Sequence, residues 1–393
     1  MNHQYIASQD SLLAFCDRLK TAKAIYFDTE FVSEDTYTPD LCLIQIAVED
    51  DLALIDPKDI EDMTPFWEVL ADGSHVTVAH SGREELLFCY RAIGRKPANL
   101  FDTQIAAGLI GLEYPCSFGN LNIKMLDVKL PKGETRSDWR VRPLTSNQID
   151  YALNDVIYLK PLHEKLARKI DKLNRNDWMQ EEIDSWESAL IEAVNKPRWR
   201  NVSGTGNLGV RSLAVVKALW HWRDNQARKM DLPPRRVFRD DLIAELARRK
   251  SADPKHIKAI RGMQRRDNQN RLEELAECIQ TALDLPDSEC PRSVANAPKK
   301  QYTVLGQFLN SALGSICREA KVAPSLACTV QDVRDLISYH LDGSDTPPKL
   351  TQGWRASVVG QTIEDLLDGT RTISIGNPRA VEPLVFHEST DSK

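Results

Sequence analysis

The chain has 393 residues, too many for one compact core, so two or three domains are expected. Hydrophobic residues make up 42% and charged residues 27%, a balance that excludes wholesale disorder. The net charge of −6 gives no overall footprint of a nucleic-acid binder, although a local basic face fits within it.

In chain order, "AIYFDTEF", "LCLIQIAV", "LALID" and "VTVAH" read as strands, rich in apolar and β-branched residues and bounded by polar or Asp/Pro punctuation. The first three follow one another without a long helix, which predicts antiparallel pairing. "GREELLFCYRAIG" and "FDTQIAAGLIGL" carry helical spacing, so a mixed sheet flanked by helices is expected. From Ser146 the chain reads helical almost to its end, with an N-cap at Thr145 or Ser146 and a helix boundary at Pro161. An amphipathic run from Leu173 to Val194 closes a first domain over 1–196, and the Gly/Ser/Asn-rich stretch 197–209 reads as a linker. Residues 210–285 fit four helices, 286–300 with three prolines a second linker, and 301–375 another helical unit. The polar, Pro-containing tail 376–393 is expected to be poorly ordered.

Eight cysteines lie scattered, with no C-x-x-C pair and no matching histidine spacing, which argues against zinc. Several sit in apolar runs, as Cys42 does, and read as small buried hydrophobes of a reducing compartment. The N-terminus lacks a basic start and an apolar core, and no apolar run approaches about 18 residues. A cytoplasmic protein without a membrane span is the expectation.

Alternation on "AIYFDTEF" puts Tyr26, Asp28 and Glu30 on one face of a strand. A D-x-E pair alone is more often a solvated face. Its apolar flanks point to a central strand, where two carboxylates repel unless cations neutralise them. In "IDYALNDVIYL", Tyr151 and Asp155 are four apart on a predicted helix and share a face. Carboxylates converging from these segments would hold hard divalent cations through oxygen, with Mg²⁺ or Mn²⁺ the natural choices. Two such ions about 4 Å apart suit phosphodiester cleavage, with Tyr151 orienting the attacking water. With an ordinary pKa of about 10, Tyr151 is a poor base at neutral pH.

The order "FDTEF", "HSGREELLFCY", "FDTQIAA", "ETRSDWRVRPL" and "YALNDVIYL" resembles the ribonuclease D family of DEDD 3′–5′ exonucleases, in the subgroup with a tyrosine in the third motif. The resemblance covers nearly the whole chain. It implies an RNase H-like α/β exonuclease domain followed by two all-α HRDC-type domains, two-metal hydrolysis and release of nucleoside 5′-monophosphates. Asp28 and Glu30 match the first motif, and Tyr151 and Asp155 the third. The second motif departs from the family: Glu85 stands where it has aspartate, and Glu84 aligns with a neighbour that is not a ligand. One extra methylene displaces a carboxylate by about 1 Å or more, a misplacement that can cost on the order of 100-fold in rate. Asp28, Glu30, Glu85 and Asp155 are the expected metal ligands. Asp102 competes with Glu85 for the missing aspartate and otherwise reads as an N-cap. His80 reads as a hydrogen-bonded structural residue or a base.

For RNA, Arg136, Arg140 and Arg142 offer phosphate forks around Trp139, which either stacks on a base or packs on the domain. Phe31 and the segment to Gln45 are further candidates for contact with the terminal nucleotide. "LWHWRDNQARKMDLPPRRVFRDDLIAELA" resembles an HRDC domain, and Arg235 to Arg271 hold 12 Lys/Arg against 5 Asp/Glu, a local charge of +7. "WRASVVGQTIEDLLDG" resembles the second helical domain of the same family. The expected protein is a monomeric exoribonuclease trimming 3′ ends of structured RNAs, tRNA precursors above all. The alternatives are an RNA-binding protein with catalysis impaired by Glu85, or a single-stranded DNA exonuclease.

Overall fold

The apolar runs "AIYF" and "LCLIQIAV" form the middle of a six-stranded sheet. In this computed structural model, which describes residues 2–131, 133–134, 137–292, 302–343 and 346–389, the strands are β1 Gln4–Ile6, β2 Ala24–Val32, β3 Asp40–Val48, β4 Asp51–Ile55, β5 Val76–Ala79 and β6 Leu100–Asp102. Their order is β1-β4-β3-β2-β5-β6. β3 and β4 pair antiparallel across a tight turn, whereas β1–β4, β2–β5 and β5–β6 are parallel. β2 therefore lies inside the sheet, the central position that Tyr26 and Phe27 predict. β1 is a strand the sequence does not announce, because three residues carry no period-two signal.

Helices α1 Gln9–Leu19, α2 Thr64–Asp72, α3 Arg83–Ile93, α4 Thr103–Leu109, α5 Phe118–Leu126, α6 Ser146–Ile157, α7 Leu159–Lys172 and α8 Asn176–Asn195 accompany the sheet. Thr145 caps α6 in a reciprocal box with Gln148, the signal read from the sequence. α6 and α7 separate at Tyr158, three residues before Pro161, which has no N–H for a continuous helix.

The chain divides into two compact units: residues 1–30, 42–191 and 297–393, and residues 31–41 with 192–296. In the first unit, α9 Thr303–Glu319, the short turn Pro324–Ala327 and the stretch around Trp354 are fastened to α4 and α8. Arg355 pairs with buried Glu182 at 2.6 Å and also donates to the Leu326 and Ala327 carbonyls. Trp354 stacks on Trp178 with centroids 5.5 Å apart, and Arg175 donates to the Lys321 carbonyl at 2.7 Å. Buried ion-pair and carbonyl contacts thus join the helical unit expected over 301–375 to the exonuclease domain. Of the tail 376–393 expected to be poorly ordered, the described part to 389 carries a strand, which corrects that expectation there, and 390–393 lie outside the described residues. Arg371–Ile375 and Leu384–Glu388 pair as an antiparallel ribbon, with Ile373, Leu384 and Phe386 half-buried on one face and Ser374 bonded to His387 at 2.7 Å on the other.

The second unit has its own core, built from Leu213, Val216, Leu219, Trp222, Phe238, Leu242 and Ile279 among others. Trp199 and Val202 belong to it, so 197–209 is not a simple spacer. The helix read across "LPPRRVFRDDLIAELARR" breaks at Phe238, whose carbonyl accepts from Arg223 at 3.1 Å, and Arg223 also pairs with Asp240 at 2.6 Å. Of the second expected linker, residues 293–300 lie outside the described residues. All eight cysteines are free thiols, and no helix among the described residues is long and apolar enough to cross a membrane.

Candidate active site

Strand alternation on β2 and the one-turn spacing on α6 bring Asp28, Glu30 and Asp155 together: one carboxylate oxygen from each lies within 4.8 Å of the others. Tyr151 stands one turn before Asp155, close enough that each shifts the other's pKa. The backbone of Gly133 lies against the Tyr151 ring; a Cβ there would come within 2.1 Å of a ring carbon. Glycine is what lets this loop lie so close.

Glu85 arrives from a different direction. β5 ends at Ala79, Ser81 turns the chain with φ 56°, and α3 begins after Gly82. A Cβ on Gly82 would lie 2.8 Å from the Ala79 Cβ, so this tight entry also selects glycine. The third residue of α3 is Glu85, only 5% exposed, and its Oε1 accepts from the Thr29 hydroxyl at 2.6 Å. Glu85 sits close enough to raise the pKa of Glu30, but its carboxylate is outside the three-oxygen group. Glu84 points elsewhere, into Arg83 and Arg91. Between the two adjacent glutamates, Glu85 is the one at the acidic cluster.

Burial is the first cause of the electrostatics here, and mutual repulsion adds to it. Glu30 is pushed up to about 9 by burial, then by Asp28, Asp155 and Glu85. Burial and Asp28 push Glu85 to about 8, and burial lifts Asp155 to about 7 despite the hydrogen bond from Tyr151. Asp28 is held well above the usual carboxylate range by burial and by Asp155. Burial and the carboxylates around it carry the Tyr151 phenol far above its ordinary value, so it remains a neutral hydroxyl. Among the described residues no lysine or arginine is paired with Asp28, Glu30 or Asp155. Hard oxygen donors crowded without a counter-charge are a donor set that fits divalent cations.

Asp102 and His80 are occupied otherwise. Asp102 caps α4, accepting from Gln104 and Ile105 N–H, and takes the Gly82 N–H at 2.8 Å as well. His80 is bonded to Thr103 Oγ1 at 2.9 Å and to the Cys116 carbonyl at 3.0 Å. Both are structural in this geometry.

Several RNA-contact expectations are corrected. Trp139 is 2% exposed and packs 6.1 Å from the Tyr151 ring, so its indole supports the tyrosine and offers no open face. Arg142 is consumed internally: it pairs with Asp56 and donates to the carbonyls of Cys42 at 2.7 Å, Trp139 at 2.7 Å and Val141 at 3.0 Å. Gln45 is fully buried on β3, a strand covered on both faces, and reaches no solvent-borne nucleotide. Arg140 pairs with Asp138 at 2.9 Å and is half-exposed. Phe31 is half-buried and belongs to the second unit, and Arg136 lies outside the described residues. Sequence reasoning missed Thr29, whose only signal is its place between two acidic residues, and Asp56, which lies 86 positions from its arginine.

Comparisons with known proteins agree with this geometry. A family model described as 3′–5′ exonuclease matches residues 3–171, and an HRDC domain model matches residues 212–279. The chain is similar to a ribonuclease D of Sphingobium indicum, 31% identical over 384 residues and covering 96% of this chain and 97% of that one. A ribonuclease D of Zymomonas mobilis is 31% identical over 395 residues, covering 98% and 99%. The crystal structure of Escherichia coli RNase D, described as an exoribonuclease involved in structured RNA processing, superposes with a TM-score of 0.83 at 29% identity, covering 94% of this chain and 99% of that one. The exonuclease fold and its acidic cluster together imply dependence on divalent metal. The chain belongs to the ribonuclease D family and is a 3′–5′ exoribonuclease.

Proposed function

We propose that the protein trims the 3′ ends of structured RNAs, tRNA precursors above all, and releases nucleoside 5′-monophosphates with two Mg²⁺ or Mn²⁺ ions. The observation that carries this reading is the convergence of Asp28, Glu30 and Asp155 oxygens within 4.8 Å, half-buried and with no lysine or arginine paired to them among the described residues. Asp28, Glu30, Glu85 and Asp155 would hold the cations. The chemistry supplied by bound divalent cations is Lewis-acid activation of water and stabilisation of charge on the leaving oxygen.

The remaining roles fall to the chain's own groups. Tyr151, a neutral hydroxyl, would turn its O–H toward the Asp155 carboxylate, which leaves the phenol oxygen free to accept from a water and so to aim that water at the scissile phosphorus. A phenol held this far above neutral pH does not take the water's proton. Trp139 and Gly133, packed on the ring, fix its orientation. In the second unit, Arg236 and Arg265 line one pocket, and their side chains make no hydrogen bond or ion pair among the described residues, which supports phosphate contact there. The proposal includes an HRDC-type fold for 301–375, a monomeric state and a cytoplasmic location.

The test is incubation of a 3′-extended tRNA precursor with Mg²⁺ or Mn²⁺. Stepwise release of mononucleotides that Asp28→Ala abolishes is expected. No release with either metal, or an Asp28→Ala variant as fast as the parent, contradicts the reading. Matched RNA and DNA strands in the same assay measure the sugar preference.

A further inference from the structure

The second motif poses a geometric problem that the structure answers locally. A glutamate at position 85 carries one more methylene than an aspartate, and an extended side chain would overshoot the place an aspartate fills. The Glu85 side chain, at the third position of α3, leans back over the first turn of the helix toward Gly82 at its N-cap. Its carboxylate accepts from the Thr29 hydroxyl at 2.6 Å, with Thr29 itself only 5% exposed. On the other side, Oε2 lies 3.8 Å from where a Gly82 Cβ would be.

Each of these contacts acts on the extra length. A free glutamate has three side-chain torsions to an aspartate's two, and the added torsion is what would let its carboxylate wander. Leaning back over the N-cap shortens the reach. The bond from Thr29 removes the remaining rotation and ties the carboxylate to the residue between Asp28 and Glu30 on the same strand. Hydrogen bonds to charged acceptors are short, directional and about twice as strong as neutral ones.

We infer that Thr29 is a positioning residue that holds the carboxylate of the back-leaning Glu85 at the acidic cluster and so makes glutamate serve where the family has aspartate. The inference rests on the metal-site reading proposed above. Thr29 itself contacts no substrate in this account. It acts through Glu85, and its importance depends on Glu85 being long.

That dependence gives the test. Thr29→Val keeps the β-branched shape and removes the hydroxyl; Thr29→Ser keeps the hydroxyl. Each is made in the parent and in a Glu85→Asp background, and Mn²⁺ binding is followed by equilibrium titration without RNA, together with kcat at saturating Mn²⁺. Thr29→Val is expected to weaken one of the bound Mn²⁺ ions by about tenfold or more in the parent. In the Glu85→Asp background the same change should cost less than about twofold, since a shorter side chain needs no tether. Thr29→Ser should restore parental binding. Parental affinity in Thr29→Val overturns the inference, as does an equal loss in both backgrounds or a failure of serine to restore binding. Asp28→Ala in the same titration separates the two readings. If it leaves Mn²⁺ binding intact, the metal site itself is wrong; if it abolishes binding while Thr29→Val does not, only the role of Thr29 falls.

Discussion

Two sets of charged groups are withdrawn from water in the exonuclease domain, and they are balanced in opposite ways. At Arg142 the sum closes: Asp56, 1% exposed, receives the guanidinium, the Lys58 N–H and the Tyr5 hydroxyl, and the guanidinium's other N–H groups go to backbone carbonyls. Asp56 is accordingly held below the usual carboxylate range, its burial outweighed by hydrogen bonds from Arg142 and Tyr5. At Asp28, Glu30, Glu85 and Asp155 the sum does not close, and every one of the four is driven upward. A satisfied buried charge is architecture; crowded like charges without a partner call for a ligand from outside.

The comparison breaks most sharply at the acidic cluster. Asp28→Asn should lower single-turnover RNA trimming by about 1,000-fold while leaving the circular dichroism spectrum unchanged, because it removes a metal-facing oxygen without removing volume. At the other region the effect belongs to stability. Arg142→Met should cost about 3 kcal/mol in chemical denaturation, since Asp56 is left buried and unpaired. Once the variant is folded, its KM for RNA should match the parent, and a raised KM with a shallower salt dependence would return Arg142 to the RNA-contact set.

A third effect separates the regions by pH. Folded-state values near 7, 8 and 9 for Asp155, Glu85 and Glu30 lie above the unfolded range of about 4. The stability these groups confer on the metal-free chain is therefore complete below about pH 4 and declines as pH rises through about 7 to 9. Mg²⁺ binds the ionised form, so the gain in Tm on adding Mg²⁺ should be larger at about pH 9 than at about pH 6. The smallest change is expected at Trp139. Its indole N–H has no partner among the described residues, so Trp139→Phe forfeits no hydrogen bond there and should cost roughly 1 kcal/mol in denaturation, with RNA affinity unaltered.

The same contrast explains what the sequence discloses. Asp28 and Glu30 are legible because strand alternation fixes a face within three residues, and Tyr151 and Asp155 because one helical turn does the same. The β3–β4 antiparallel pair and the capped α6 follow from equally local signals, whereas the order of the sheet depends on distant parallel pairs such as β1–β4 and β2–β5. Arg142 and Trp139 read as RNA contacts because residue type alone does not reveal a partner, and Asp56 and Tyr151 become their neighbours only through folding. Thr29 is silent for a related reason: nothing local marks it as a partner of a residue 56 positions away. The docking of 301–375 onto the exonuclease domain depends on Glu182 and Arg355, 173 positions apart, and no periodicity encodes such a pair.

The central claim is that the unbalanced carboxylates are a divalent-cation site. Equilibrium Mn²⁺ titration of the parent and of Asp28→Asn tests it directly. The account predicts two saturable ions per parent chain and the loss of at least one in the variant; a parent that binds none, or a variant that binds both as tightly, contradicts it.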